Sequence, residues 1–241
     1  MSRLILLFIS VIVATLFTLN AFWLQLNGQS TIEIINRLPL LFAPANYVYY
    51  IWILIFVFLF LWVYRYIKLR RTELFVTNLQ TILFVIVIVL QIASLLSWHS
   101  HYVLLSTVIL LIQVIVLFGL YFSYPLKKEF FTLRMPIAAY FSWSTFLLIL
   151  LCYYLLVDFQ WSGFGISYAL WAVIIMTFGT AIALHLRYHH FDTVYPIVFV
   201  WCYIGIAVQN GFDELLVTTA ALFLAGVMIV GVFFIKKTLK S

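Results

Sequence analysis

Apolar residues run in long blocks along the chain, broken by short polar stretches. Eight blocks stand out, at 4–26, 46–67, 74–98, 102–122, 136–157, 166–186, 194–208 and 215–235. A helix needs about 20 apolar residues to cross the hydrocarbon of a bilayer. All but the seventh block meet that length, and none carries an acidic or basic residue in its interior. The pattern predicts an all-α polytopic membrane protein of about eight transmembrane helices. Prolines respect the blocks. Pro44 and Pro136 stand where blocks begin, where a missing N–H costs nothing. Pro125 falls in a connection, and Pro196 follows Asp192 and Thr193, a plausible N-cap pair. No proline interrupts the middle of a block, and no internal repeat is evident. Both absences argue against a transporter built on broken helices.

The longest connection on the side away from the N-terminus is 27–43. There Ser30 and Glu33 fit a capping box. Ile32, Ile35 and Leu38 follow at helical spacing, which predicts a short amphipathic helix at the interface, ending near Pro39.

Composition narrows the class. The chain is 67% hydrophobic and 8% charged, against about 25% charged in soluble domains. It cannot cover a water-facing surface. With eight spans, 241 residues leave no room for a large extramembrane catalytic module, so 1–241 reads as a single integral membrane domain. The net charge of +6 then has a topological meaning. Of the 13 Lys and Arg residues, all but Arg37 fall on one side when alternate connections are assigned to alternate sides. That set includes Arg3, Arg65, Lys68, Arg70, Arg71, Lys127, Lys128, Arg134, Arg187, Lys236, Lys237 and Lys240. The positive-inside rule places both termini in the cytoplasm of a multi-pass protein of the cell membrane. An odd number of spans would destroy the asymmetry. The first block is longer than a signal-peptide core and lacks a clean cleavage site, so it reads as an uncleaved span. Cys152 and Cys202 lie inside apolar blocks and read as buried thiols.

Candidate chemistry is sparse. The blocks hold no carboxylate pair and no Ser-His-Asp set. His99 and His101 fall on one side; His185, His189 and His190 near the other. His185 and His189 have the i, i+4 spacing of two ligands on one helix face, but no third is evident. No partner at matching depth suits a bis-histidine haem. No enzyme activity, metal or cofactor is expected. Gln91 and Gln113 sit at similar depth in adjacent blocks and predict an interhelical amide pair. Gly179 with Ala183, and Ala221 with Ala225, have the spacing of close helix packing. Aromatics make up 20% of the chain. Tyr49, Trp52, Phe56 and Phe60 form one helical stripe in the second block, too deep for an interfacial belt alone.

These residues resemble a known family. LFAPANYVYYIW at 41–52 is similar to the F-T-P-A-G/N-Y-x-F-S-I-W segment that opens the second span of long tryptophan-rich sensory proteins. These are relatives of the TspO/MBR family (translocator protein, peripheral benzodiazepine receptor-like). In order along the chain, Trp98 and His99 resemble the W-H-Y closing the third span, and PIAAYFSW at 136–143 resembles P-F-S-I-Y-L-G-W. WSGFGI at 161–166 with WAV at 171–173 resembles W-G-G-F-G-L followed by W-A-V. The chain departs from the pattern at Gln91, Ser94, Leu151 and Phe56, where the family tends to carry Asn, Trp, Asn and Tyr. The resemblance implies a TspO-like five-helix core at 1–157 and three added C-terminal helices at 158–241. It also implies an intramembrane pocket beneath the first outer loop. The ligand-binding residues it implies are Pro44, Tyr49, Trp52, Phe56, Trp98, Tyr140 and Trp143.

The expected function is non-enzymatic binding or sensing of an apolar or aromatic small molecule, tetrapyrrole- or lipid-like. Expected partners are membrane lipid, a tetrapyrrole or other flat apolar ligand, and a second copy or another membrane protein. Nucleic acid is not expected. Two alternatives stand beside this reading. One is a structural or partner-binding protein of the cell envelope; the other is a transporter of a small apolar solute. Transport by proton coupling is disfavoured by the lack of ionisable residues within the blocks.

Overall fold

A computed structural model describes residues 2–72, 74–126 and 131–235. The helices are α1 (Ser2–Trp23), α2 (Thr31–Ile35), α3 (Ile51–Lys68), α4 (Asn78–His99), α5 (Val103–Phe122), α6 (Phe131–Asp158), α7 (Tyr168–His190), α8 (Val194–Asn210) and α9 (Leu215–Phe234). A 3₁₀ turn at Asn46–Tyr50 leads into α3. Among the described residues there is no strand, and seven helices are long and apolar enough to cross a membrane. The eighth apolar helix, α8, has 17 residues. At about 1.5 Å per residue it is about 26 Å long, slightly under the ~30 Å hydrocarbon thickness. The chain is therefore an all-α multi-pass membrane protein. Lys127, Lys128, Lys236, Lys237 and Lys240, which enter the charge count, lie outside the described residues.

Side-chain caps mark several helix starts. The Ser30 hydroxyl accepts from the Glu33 N–H at 3.1 Å while the Glu33 carboxylate accepts from the Ser30 N–H at 2.7 Å, the capping box expected from the sequence. Thr77 and Gln80 form a second box before α4. At α8 the capping side chain is Asp192, which accepts from the N–H groups of Val194 and Tyr195 at 2.8 and 3.0 Å.

Three local expectations are corrected. α6 begins at Phe131, so Pro136 lies inside the helix and not at its start. Proline has no N–H to give the Thr132 carbonyl four residues earlier, and one helical bond is forgone. Arg134 thereby falls within α6, buried, with its guanidinium 5.4 Å from the Tyr121 ring centre. Cys202 is buried, but Cys152 is exposed, because Leu151, Tyr153 and Tyr154 take the buried positions beside it. In α2 the buried face is Thr31, Ile34 and Ile35, while Ile32 is half-buried and Leu38 lies beyond the helix end, which comes at Ile35 and not near Pro39.

The chain divides into two compact units, one of Met1–Arg37 with Ile51–Ser144 and one of Leu38–Tyr50 with Thr145–Ser241. The first is tied together by buried polar groups. Gln91 on α4 donates to the Thr18 hydroxyl of α1 at 2.6 Å. The Tyr140 hydroxyl of α6 donates to the Gln91 carbonyl oxygen and accepts from the Gln113 amide of α5 at 3.2 Å. The expected Gln91–Gln113 pair is thus bridged by Tyr140, and four helices share one relay. A second polar knot holds α2. The His99 ring lies 3.0 Å through Nδ1 from the Leu26 carbonyl and 2.9 Å through Nε2 from the Thr31 hydroxyl. A carbonyl only accepts, so Nδ1 carries a proton. The Thr31 hydroxyl also lies 3.0 Å from the Ala21 carbonyl of α1. Near the end of α3, Trp62 donates to the Tyr124 hydroxyl beyond α5 at 3.2 Å, with the Tyr66 hydroxyl 3.1 Å away. Burial, and then the neighbouring Tyr66, hold the Tyr124 phenol well above its usual pKa.

The second unit packs on small residues. A Cβ at Gly179 would lie 2.6 Å from the Tyr203 hydroxyl and 2.9 Å from the Phe199 ring. Ala183, Ala221 and Ala225 are buried, as their spacing suggested. The segment 38–50 lies along α8. The Ala45 N–H donates to the Gly205 carbonyl at 3.0 Å, and the Trp201 indole donates to the Val48 carbonyl at 3.2 Å. The Asn210 amide donates to the Leu41 carbonyl at 3.0 Å. A Cβ at Gly205 would collide with Val48 and lie 3.1 Å from Pro44.

Two substitutions test these arrangements. Interhelical hydrogen bonds in membranes average about 0.6 kcal/mol. Tyr140→Phe strands two amide atoms at once, so a loss of about 1–2 kcal/mol is expected, read as a lower Tm in mild detergent. An unchanged Tm would contradict the relay. Gly205→Ala overpacks the site and should cost about 1–3 kcal/mol. Adding Val48→Ala should restore part of that loss, and no restoration would contradict the close approach.

Candidate aromatic binding site

The first unit gathers an aromatic cluster from three helices. α3 supplies Trp52 and Phe56, whose rings stack at 5.4 Å and 16° because they lie one turn apart on the buried face. α6 supplies Trp143, edge-on to Trp52 at 6.1 Å and 87°, and Tyr140 at 5.9 Å and 65°. α1 supplies Phe22 at 6.0 Å and 61°. Every one of these rings is buried. The edge-to-face geometry is the favourable one for ring quadrupoles, worth about 0.5–1.5 kcal/mol per pair beyond area.

Polar atoms around the rings are few and specific. The Tyr140 hydroxyl belongs to the relay, which fixes the ring that it carries. The Trp52 indole N–H is buried and has no hydrogen-bond partner among the described residues; the same holds for the Gln113 side-chain oxygen and the Ser144 hydroxyl. Buried donors are nearly always satisfied in native structures, so each such group calls for an account. Trp52 offers an unused donor and Gln113 an unused acceptor. Together they suit a flat, mainly apolar molecule with a few polar atoms.

The α2 knot adjoins this cluster through α1. Ala21, whose carbonyl lies beside Thr31, directly precedes Phe22 of the cluster. His99 and Trp98 end α4, and both are buried. The short helix α2, in the connection after α1, is thus fastened to α1 and α4 within this unit.

The sequence-derived site is partly gathered. Trp52, Phe56, Tyr140 and Trp143 come together. Trp98 is buried at the α4 terminus beside His99. Pro44 and Tyr49 belong to the second unit, where Pro44 adjoins Gly205. The expected stripe of Tyr49, Trp52, Phe56 and Phe60 does not hold as one surface. Tyr49 lies in the 3₁₀ turn, which winds with a different period from the α-helix. Phe60 pairs edge-on with Phe8 at 6.2 Å and 70°. Phe22 and Thr18 were not singled out by sequence reasoning, although both lie on the buried face of α1 with Leu4, Leu7, Val11 and Ala14. Their signal is the three- and four-residue spacing of that face.

Metal chemistry finds little support. The rings of His185 and His189 lie 4.4 Å apart between centres, tilted by 37°, as neighbours one turn apart. Among the described residues no group of three His, Cys, Asp or Glu could hold a metal ion.

Comparison with known proteins gives one match. The family model described as TSPO-like protein matches residues 4–234. No curated protein and no solved structure matches the chain. The match covers nearly the whole chain, including the helices that carry the aromatic cluster and those of the second unit. The chain therefore belongs to the TSPO-like protein family.

Proposed function

We propose that this protein binds or senses a flat apolar molecule, tetrapyrrole- or lipid-like, in the aromatic cluster of its first unit, and that it is not an enzyme. The observation that carries the reading is the Trp52 indole: a buried donor without a partner, set among Phe22, Phe56, Tyr140 and Trp143. Ring stacking supplies affinity, and the indole N–H with the Gln113 oxygen supplies orientation. The polar knot at His99 makes α2 the element that a ligand must pass. The asymmetry of basic residues supports a place in the cell membrane with both termini in the cytoplasm. That topology requires α8 to cross despite its length, which local thinning of the bilayer or tilt of its neighbours accommodates at modest cost.

Protoporphyrin added to the full chain in mild detergent tests the site through a shift of the porphyrin's Soret absorption. Saturable binding is expected. Trp52→Leu combined with Trp143→Leu should weaken it by about tenfold or more, from the loss of two ring contacts. Trp52→Phe keeps a ring and removes the N–H, and should weaken it less. Saturable binding of unchanged affinity in the double variant would refute the site.

A further inference from the structure

We infer that the first unit also carries a separate site for an anionic glycerophospholipid, at the end of α3 away from the α2 knot. A cleft of about 580 Å³ opens there between the last turns of α3 and the first turns of α6. That volume lies within the range of about 300–1,000 Å³ typical of ligand sites. Its walls are apolar: Phe58, Leu61 and Leu69 from the α3 side, with Met135 and Pro136 from α6. None of the aromatic-cluster residues lines it.

The rim is cationic. Arg65 and Lys68 both line the cleft and both are exposed. They sit three residues apart, so they share one helix face. Among the described residues, Arg65 has no hydrogen-bond or ion-pair partner and no acidic residue lines the cleft. Lys68 rests over the Tyr64 ring, 4.8 Å from its centre, a contact that holds the ammonium at the rim. Thr132 adds a hydroxyl, and its carbonyl receives no N–H from Pro136.

This combination identifies the ligand class. Two cations fix a phosphate, and an apolar cleft beneath them takes carbon chains. The cleft also adjoins lipid-facing positions: Leu61 is 56% exposed on a helix that spans the bilayer. A soluble phosphate would use the cations and leave the apolar walls idle. A zwitterionic lipid would set its own cation against Arg65 and Lys68. An anionic phospholipid satisfies both parts. Its phosphate pairs with Arg65 and Lys68, its headgroup hydroxyls reach Thr132, and an acyl chain lies along Phe58, Leu61 and Met135.

Native mass spectrometry of the full chain in non-ionic detergent tests this, with phosphatidylglycerol, phosphatidylcholine and glycerol 3-phosphate as probes. Phosphatidylglycerol should be retained on the order of tenfold more strongly than phosphatidylcholine, as expected for two basic side chains at a membrane surface. Arg65→Gln with Lys68→Gln should erase the preference. Arg65→Lys with Lys68→Arg keeps both charges and should retain it. Arg70→Gln with Arg71→Gln should leave it intact, because neither residue lines the cleft. Met135→Trp, which fills the cleft, should weaken both lipids. The proposal is overturned if the two lipids bind equally to the unaltered chain, or if the preference survives loss of Arg65 and Lys68. It is equally overturned if loss of Arg70 and Arg71 removes the preference as fully, or if equimolar glycerol 3-phosphate displaces the lipid.

Discussion

One hydroxyl governs the first unit. Tyr140 places its oxygen between two amides deep in an apolar environment, where no water competes and an unsatisfied polar group costs several kcal/mol. Gln91 and Gln113 can meet their needs only if α4, α5 and α6 hold a fixed register about that oxygen. Gln91 then extends the constraint to Thr18 on α1. Leu, Ile and Val side chains pack against each other in many registers and against lipid equally well. The polar relay chooses one register from among them. Since Tyr140 also bears a ring of the aromatic cluster, the same bond that orders the helices orders the site.

The second unit reaches specificity by a different route. Its register is set by what has no side chain. Gly179 admits Tyr203 and Phe199 of α8, and Gly205 admits Val48 and Pro44. The segment 38–50 then lies on α8 with its carbonyls answered by Trp201 and Asn210. This segment is a packing element as much as the lead into a helix. Pro44 and Val48 press on Gly205, Phe42 stacks on Phe146 at 5.4 Å and 29°, and Tyr47 meets Trp201 at 5.4 Å.

Fold class was legible because the bilayer imposes a length and a hydrophobicity that composition records directly. The apolar blocks, the Ser30 box and the small-residue spacings all have local causes. Pairing was less legible. Gln91 and Gln113 stood out as amides in apolar blocks, but nothing local says that Tyr140 stands between them. His99 read as a residue at a helix end, and only the return of 26–31 past α4 makes it a buried knot. From the sequence Arg134 falls in a connection, since Pro136 suits a helix start; α6 begins a turn earlier and draws the guanidinium onto Tyr121. The aromatic stripe failed at Tyr49 because the 3₁₀ turn changes the angular step just where the reading assumed one continuous helix.

The two proposed sites lie at opposite ends of the first unit. Near α2, rings and two unanswered polar atoms suit a flat apolar ligand. At the other end, Arg65 and Lys68 over an apolar cleft suit an anionic lipid. The aromatic site is the account's central claim, and photo-crosslinking tests it most directly. A flat aromatic diazirine, irradiated with the full chain in bilayer nanodiscs and mapped by peptide mass spectrometry, should label Trp52, Phe56, Tyr140 or Trp143, with unlabelled protoporphyrin suppressing the adducts. Adducts confined to lipid-facing positions of the same helix, such as Leu54, Val57 and Leu61, and indifferent to protoporphyrin, would contradict it.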